Sequence, residues 1–211
     1  MISEPLYKKY FQGLISGDRK GCHDIVQDLL DQKIGVYDLY INLFQKALYD
    51  VGRLWESNKI SVAIEHLATS ITEGLLNLSY PIIFSSERVN YSAVVTCVEE
   101  ELHQIGAKMV ADIFEMNGWD SIFLGSNTPS LELLKLIEEK KPDLLCLSMS
   151  IYFHLQKLLE TLALVHHSFP ELQIIVGGQG FRWGGIEEVS KLSNVHFIGS
   201  LPALETFINQ A

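Results

Sequence analysis

Residues 94–110, "VVTCVEEELHQIGAKMV", compress a β-branched apolar run, three consecutive glutamates, a histidine and a glycine into one strand-to-helix turn. A short run that is apolar on both faces suits a strand buried inside a parallel sheet, and the residues from Ile105 onward take up helical spacing. His103 falls between the two. Either it is an ordinary polar residue on a solvated loop, or it is a ligand held out at the mouth of the sheet.

Downstream the same alternation repeats. "SIFLG", "DLLCLSMS", "QIIVGG" and "VHFIG" are short strand-like runs, followed in turn by "LELLKLIEEKK", "LQKLLETLALVHHS", "IEEVSKL" and "ALETFINQ", which are amphipathic. Repeated βα units demand a parallel sheet with helices on both faces. Residues 90–211 are therefore expected to form a flavodoxin-like (Rossmann-like) α/β domain with a five-stranded parallel sheet. Such sheets bind ligands at the carboxyl ends of their strands, near the switch point in strand order. His103 would sit there.

Upstream of residue 85 the period differs. Leu6, Tyr10, Phe11 and Leu14, then Ile25, Val26, Leu29 and Leu30, then Leu39, Leu43, Ala47 and Val51 mark successive amphipathic helices. Ser61 reads as the N-cap of a fourth helix that continues to Pro81. The expected organisation is a helical domain over residues 1–85, built as a four-helix bundle, a polar linker "SSERVN", and the α/β domain.

Composition removes several functions. With 47% hydrophobic and 20% charged residues among 211, the chain has a soluble globular balance. No apolar run approaches the roughly eighteen residues of a membrane span. A formal charge of −10 without a basic stripe opposes a phosphate backbone, so direct nucleic-acid binding is not expected. Cys22, Cys97 and Cys146 are widely spaced, without a CxxC pair, and read as buried thiols. The N-terminal stretch has no basic region followed by an apolar core, and the expected location is cytoplasmic. A GxGxxG loop is missing after the first strand, which removes the dinucleotide reading. No aspartate follows the third strand, which removes a phosphoacceptor receiver domain.

"ELHQIG", with Glu101, His103 and Gly106, resembles the D-x-H-x-x-G signature of cobalamin-binding domains, glutamate replacing aspartate. Two further marks of that family stand in register: Ser148 and Ser150 in "LSMS" after the third strand, and Gly177 and Gly178 in "VGGQG" after the fourth. The likeness covers the C-terminal half. It implies that the nucleotide tail of cobalamin leaves the cobalt for a slot lined by these serines and glycines, and that His103 becomes the lower axial ligand. The chemistry of the residues agrees. Neutral imidazole ligates cobalt well, and a carboxylate two residues away can accept the proton of the other ring nitrogen and make the ligand more electron-rich. Gly106 would let the corrin or its tail approach the backbone, and the glycines after the fourth strand would open the slot. The hydroxyls of Ser148 and Ser150 would bond the tail base or ribose.

In the helical half, "WESNKISVAIEHLATS" separates Trp55 from the Glu65–His66 pair by nine intervening residues. Taken alone, Trp55 would be a core anchor at a helix end and His66 would face a partner helix. The W-x9-EH pattern is similar to that of cobalamin-dependent light sensors of the CarH type, whose four-helix cap covers the upper corrin face with these residues around the upper ligand. Related caps cover methylcobalamin in corrinoid carriers of methyltransferase systems. In the sensors a histidine follows the tryptophan and can take the cobalt after light breaks the cobalt–carbon bond; here Glu56 stands there, leaving His66 to take that role or none. The sensors also carry a DNA-binding domain before the cap, whereas this sequence opens on the cap. Regulation is then expected to pass through a protein partner, as in AerR-type antirepressors.

The resemblance thus implies a non-enzymatic sensory or regulatory protein, a B12-dependent photoreceptor or antirepressor whose partner is a transcription regulator. Its cofactor would be adenosylcobalamin, methylcobalamin or hydroxocobalamin, bound base-off with His103 on the cobalt. The alternative is a corrinoid methyl carrier whose partner is a methyltransferase. The native upper ligand, the role of light and homo-oligomer formation stay open. Elsewhere, His166 and His167 read as a helix end, His154 as a surface helix start, and Arg182 and Trp183 as surface residues near the slot, a contact to a tail phosphate being the lesser alternative.

Overall fold

Ser3 accepts a hydrogen bond from the Leu6 N–H and Pro5 occupies the first turn, so the chain enters α1, Glu4–Ser16, almost at once. Gly17, at φ 78°, ends it, and Asp18 caps α2, Arg19–Asp31, through the Gly21 N–H. The third helical stretch is α3, Val36–Leu39, a π-helical turn over Tyr40–Gln45, and α4, Lys46–Glu56. Ser61 caps α5, Val62–Leu76, by accepting from Ile64 N. A 3-10 turn, Asn77–Ser79, leads to α6, Tyr80–Ile83. Pro81 does not stop this course, because it lies in the first turn of α6, where no N–H is required. The structure, a computed structural model, describes residues 2–210.

Tyr10, Leu14, Val26, Leu39, Leu43, Phe44, Ala47 and Leu76 are fully buried and form the core of the helical unit. Phe11 and Leu30 of the expected stripes are only half-buried, while Tyr7 is buried. The π turn brings Tyr40, Leu43 and Phe44 inward together, an adjustment that simple helical periodicity does not anticipate.

A second compact unit begins at Ser86. Its elements are β1 (Ser92–Cys97), α7 (Ile105–Met116), β2 (Asp120–Gly125), α8 (Ser130–Lys140), β3 (Leu144–Ser148), α9 (Leu155–Ser168), β4 (Gln173–Gly177), α10 (Ile186–Val189), β5 (Val195–Phe197) and α11 (Leu201–Ile208). All strand pairs are parallel, in the order β2-β1-β3-β4-β5. The expected flavodoxin-like architecture is the one formed. Val94, Leu145, Leu147, Ile174 and Val176 pack with Leu133 and Ile137 of α8 and Leu158 and Leu162 of α9. Ala93, Val95, Cys97, Leu144 and Cys146 are buried on the alternate positions. Burial on both faces explains why the strands read as continuous apolar runs, each large side chain contributing about 1.5–3 kcal/mol.

The stretch expected as a polar linker is fastened to this second unit. Val89 N donates to Gly118 O at 2.8 Å, Arg88 pairs with Glu115 and donates to Trp119 O at 2.7 Å, and Tyr91 stacks on Trp119. Gly118, at φ 81°, is required: a Cβ there would stand 2.1 Å from Glu87 O.

All three cysteines are free and buried. Burial pushes the Cys22 thiol up to about 11, and burial together with the nearby Glu101 charge pushes Cys97 up to about 12; burial raises Cys146 as well. The native protein at roughly pH 8 should therefore leave a thiol reagent almost unconsumed, while the urea-unfolded chain titrates all three cysteines. Rapid stoichiometric labelling of the folded protein would show that one of these sites opens to solvent. Among the described residues no helix is long and apolar enough to cross a membrane.

Candidate functional site

Sheet register brings three separated sequence marks side by side. Cys97 pairs with Ser148 and Ser148 with Gly177, so the ends of β1, β3 and β4 form one row. The strand order reverses between β1 and β3, the place where open α/β sheets bind ligands. Beyond the row, Val98 N donates to Ser148 O and Glu101 N to Val98 O, closing a turn through Glu100 at φ 72°. That left-handed turn drops the next residue, Glu101, into the interior.

Glu101 is fully buried, and both of its carboxylate oxygens are used. Oε1 accepts from His103 N at 2.9 Å and lies 2.6 Å from His103 Nδ1. Oε2 accepts from Ser150 N at 2.9 Å and Ile151 N at 2.8 Å. One carboxylate therefore joins the β1 loop to the β3 loop across the switch point. Burial acts to raise its pKa, but the hydrogen bonds from the His103 side chain and backbone and from Ile151, with the His103 charge, outweigh it and hold the carboxyl below the usual carboxylate range. The His103 side chain is half exposed, at 50%. With Nδ1 committed to Glu101, the imidazole has a fixed edge on the carboxylate, and Nε2 is the nitrogen on its other edge.

Of the remaining marks, Gly106 lies exposed in the first turn of α7, and a Cβ there would meet nothing within 4 Å. Gly177 and Gly178 differ. A Cβ on Gly177 would stand 2.7 Å from Ile198 O, and one on Gly178, at φ 110°, would stand 2.3 Å from Met149 O. What these two glycines admit in this structure is the chain itself. Ser148 and Ser150 are half-buried, and what Ser150 gives to Glu101 is its main-chain N–H.

Sequence reasoning missed Asn127. Its Oδ1 accepts from Glu100 N and its own N–H donates to Glu101 O, both at 2.9 Å, tying the β2 loop to the turn that buries Glu101. The signal available was the turn-rich run "GSNTP" after the second strand. Glu99 accepts from Ser130 Oγ, and Glu100 lies 3.5 Å from Lys157. Arg182 and Trp183 stand exposed on a 3-10 turn after β4.

The second set of marks belongs to the helical unit. Asn58, at φ 56°, turns the chain between α4 and α5, with Asn58 N donating to Trp55 O and Lys59 N to Leu54 O. W-x9-EH is thus the spacing of a helix end, a turn and the next helix start, which gathers the three residues at one end of an αα-hairpin. Trp55 is 43% exposed, so the core-anchor reading fails. His66, 74% exposed, does not face a partner helix; its Nδ1 lies 2.6 Å from Glu65 Oε2, while Thr69 donates to Glu65 Oε1.

Two family models match the chain, each described as a B12 binding domain, one over residues 6–78 and the other over 91–189. The chain belongs to the B12-binding family. Among curated proteins, this B12-binding chain is 26% identical over 162 residues to the HTH-type transcriptional repressor CarH of Myxococcus xanthus, covering 74% of this chain and 53% of the repressor. It is 22% identical over 150 residues to methionine synthase of Mycobacterium leprae, covering 68% of this chain and 12% of that enzyme. The chain thus spans about half of the first relative and a small part of the second. Among solved structures, the Methanosarcina barkeri monomethylamine corrinoid protein superimposes with a TM-score of 0.86 at 12% identity, covering 100% of both chains. That likeness shows a shared fold.

The residues present fit a corrinoid. Among the described residues, no group of three or more His, Cys, Asp or Glu side chains could hold a bare metal ion. A single imidazole, oriented by a buried carboxylate and half open to solvent, suits a metal that brings its own equatorial nitrogens. Open space over Gly106 leaves the backbone beside it approachable.

Proposed function

We propose that this chain is a cobalamin-dependent sensory or regulatory protein, without catalysis of its own, in which His103 is the lower axial ligand and a change of upper ligand is passed to a protein partner. The observation that carries the ligand assignment is the Glu101–His103 contact at the β1/β3 junction. When bound, cobalamin supplies an upper cobalt–ligand bond that can be exchanged or broken, by light where that ligand is alkyl. Glu101 holds the Nδ1 edge of the imidazole, so that Nε2 would be the nitrogen to ligate the cobalt. Within the helical unit, the exposed Trp55 ring and the Glu65–His66 pair are the residue types of the pattern that resembles the CarH-type sensors, which supports a cobalamin-related role for that unit. Likeness to a transcriptional repressor over 74% of the chain supports regulation. A net charge of −10 favours action through a protein over direct contact with DNA.

A corrinoid methyl carrier is the second reading, favoured by Glu56, which stands where the sensors have a cobalt-coordinating histidine. Its partner would be a methyltransferase, to which the cobalt must be accessible. One experiment separates the two. Purified protein loaded with adenosylcobalamin or methylcobalamin should change its absorption spectrum and its assembly or partner affinity on illumination. Binding without any light-dependent change moves the assignment to the carrier, and failure to bind either form sinks both. His103→Ala should abolish the signature of imidazole ligation in the spectrum; coincident spectra for variant and parent would refute the ligand assignment.

A further inference from the structure

The glycines after β4 contact the segment that grips Glu101. Met149 N donates to Gly177 O at 2.9 Å, and Gly180 N donates to Met149 O at 3.1 Å. A Cβ on Gly180, which is buried, would stand 2.9 Å from Met149 O and 3.2 Å from Ile151 C. Those atoms belong to residues 149–151, whose next two N–H groups, of Ser150 and Ile151, reach Glu101 Oε2 at 2.9 and 2.8 Å. The other oxygen of the same carboxylate holds His103. Contacts at or near hydrogen-bond length thus run from the β4 loop, through the β3 main chain and Glu101, to the imidazole.

We propose that Gly180 is a positioning residue for the lower ligand: by letting the β4 loop press on Met149 and Ile151, it sets the two N–H groups that orient Glu101, and through Glu101 the imidazole. The inference rests on His103 being the cobalt ligand. It assigns the β4 glycine run a role separate from making room for a nucleotide tail. An added methyl must push residues 149–151 by a few tenths of an ångström, against hydrogen bonds already near their best length. The ligand set stays intact while its orientation degrades, and loss of an outer-shell partner of this kind costs about tenfold or more in metal affinity.

Cobinamide, a corrinoid that lacks the nucleotide tail, separates positioning from slot lining. The full chain is labelled with [15N]histidine, loaded with hydroxocobalamin or diaquocobinamide, reduced to cobalt(II), and examined by electron paramagnetic resonance for the nitrogen splitting from an axial imidazole. Gly180→Ala should weaken His103 ligation about tenfold for both corrinoids. If cobinamide ligation is unchanged and only cobalamin suffers, the glycine merely lines the slot and the proposal is overturned. Should Gly180→Ala fail to fold, Ile151→Pro, which removes one N–H from Glu101 Oε2 with Gly180 in place, decides instead. It should give the same loss with cobinamide, and full ligation would overturn the proposal. Absence of a His103-dependent splitting in the parent protein would overturn the lower-ligand reading and this inference with it.

Discussion

Glu101→Ala is expected to lower the unfolding free energy of the cobalamin-free protein by about 3 kcal/mol and to weaken cobalamin binding about 10- to 100-fold. The first effect follows from what the carboxylate does without cofactor. It accepts main-chain N–H groups of His103, Ser150 and Ile151 from a fully buried position, and truncation leaves them facing a cavity. Each hydrogen bond to a charged acceptor contributes about 1.5–3 kcal/mol, and local relaxation recovers part of the sum. The second effect follows because the same oxygen that accepts from His103 N meets Nδ1, so the variant loses both ring orientation and loop position. Glu101→Gln is no rescue: its amide turns an NH2 toward one of two sets of donors. Urea unfolding of the apo-protein and a cobalamin titration measure the two effects separately. A shift under about 1 kcal/mol with unchanged affinity would mean the loops hold their shape without the carboxylate.

How much of this was legible depends on where each interaction is encoded. Side-chain periodicity belongs to the sequence, so the parallel sheet and the helices around it could be read from runs such as "AVVTCV" and "SIFLG". The two-residue spacing of Glu101 and His103 likewise permits one contact, and that contact is present. The other half of the Glu101 environment comes from main-chain N–H groups at residues 150 and 151, and any residue but proline carries one. The serines drew attention to the right loop through their hydroxyls, whereas the bond made there is from the backbone. Exposure is similarly hard to read for single large residues. Trp55 would ordinarily be counted as core, and only the fold shows it beside a tight turn with His66 facing solvent. The π turn, the passage through Pro81 and the fastened linker leave no periodic signal at all.

Gly178→Ala should destabilise the apo-protein by about 3 kcal/mol or more, whereas Gly106→Ala should leave it unchanged or about 0.5 kcal/mol more stable. Both glycines look alike in the sequence, as places where a corrinoid nears the backbone. Gly178, however, has φ 110° and ψ 162°, a region almost closed to residues with a side chain, and a Cβ added there would stand only 2.3 Å from Met149 O. Neither strain can be relieved by a side-chain rotation, because one lies in the backbone dihedrals themselves and the other is against the main chain of Met149. Gly106 sits in an ordinary helical turn with nothing within 4 Å of an added methyl, so alanine gains helix propensity there without a clash. If Gly106 exists to let the corrinoid approach, its alanine variant must lose cobalamin affinity while thermal unfolding shows equal or greater stability. A drop in both would place Gly106 with Gly178 as a packing residue, and unchanged affinity would remove it from the binding surface.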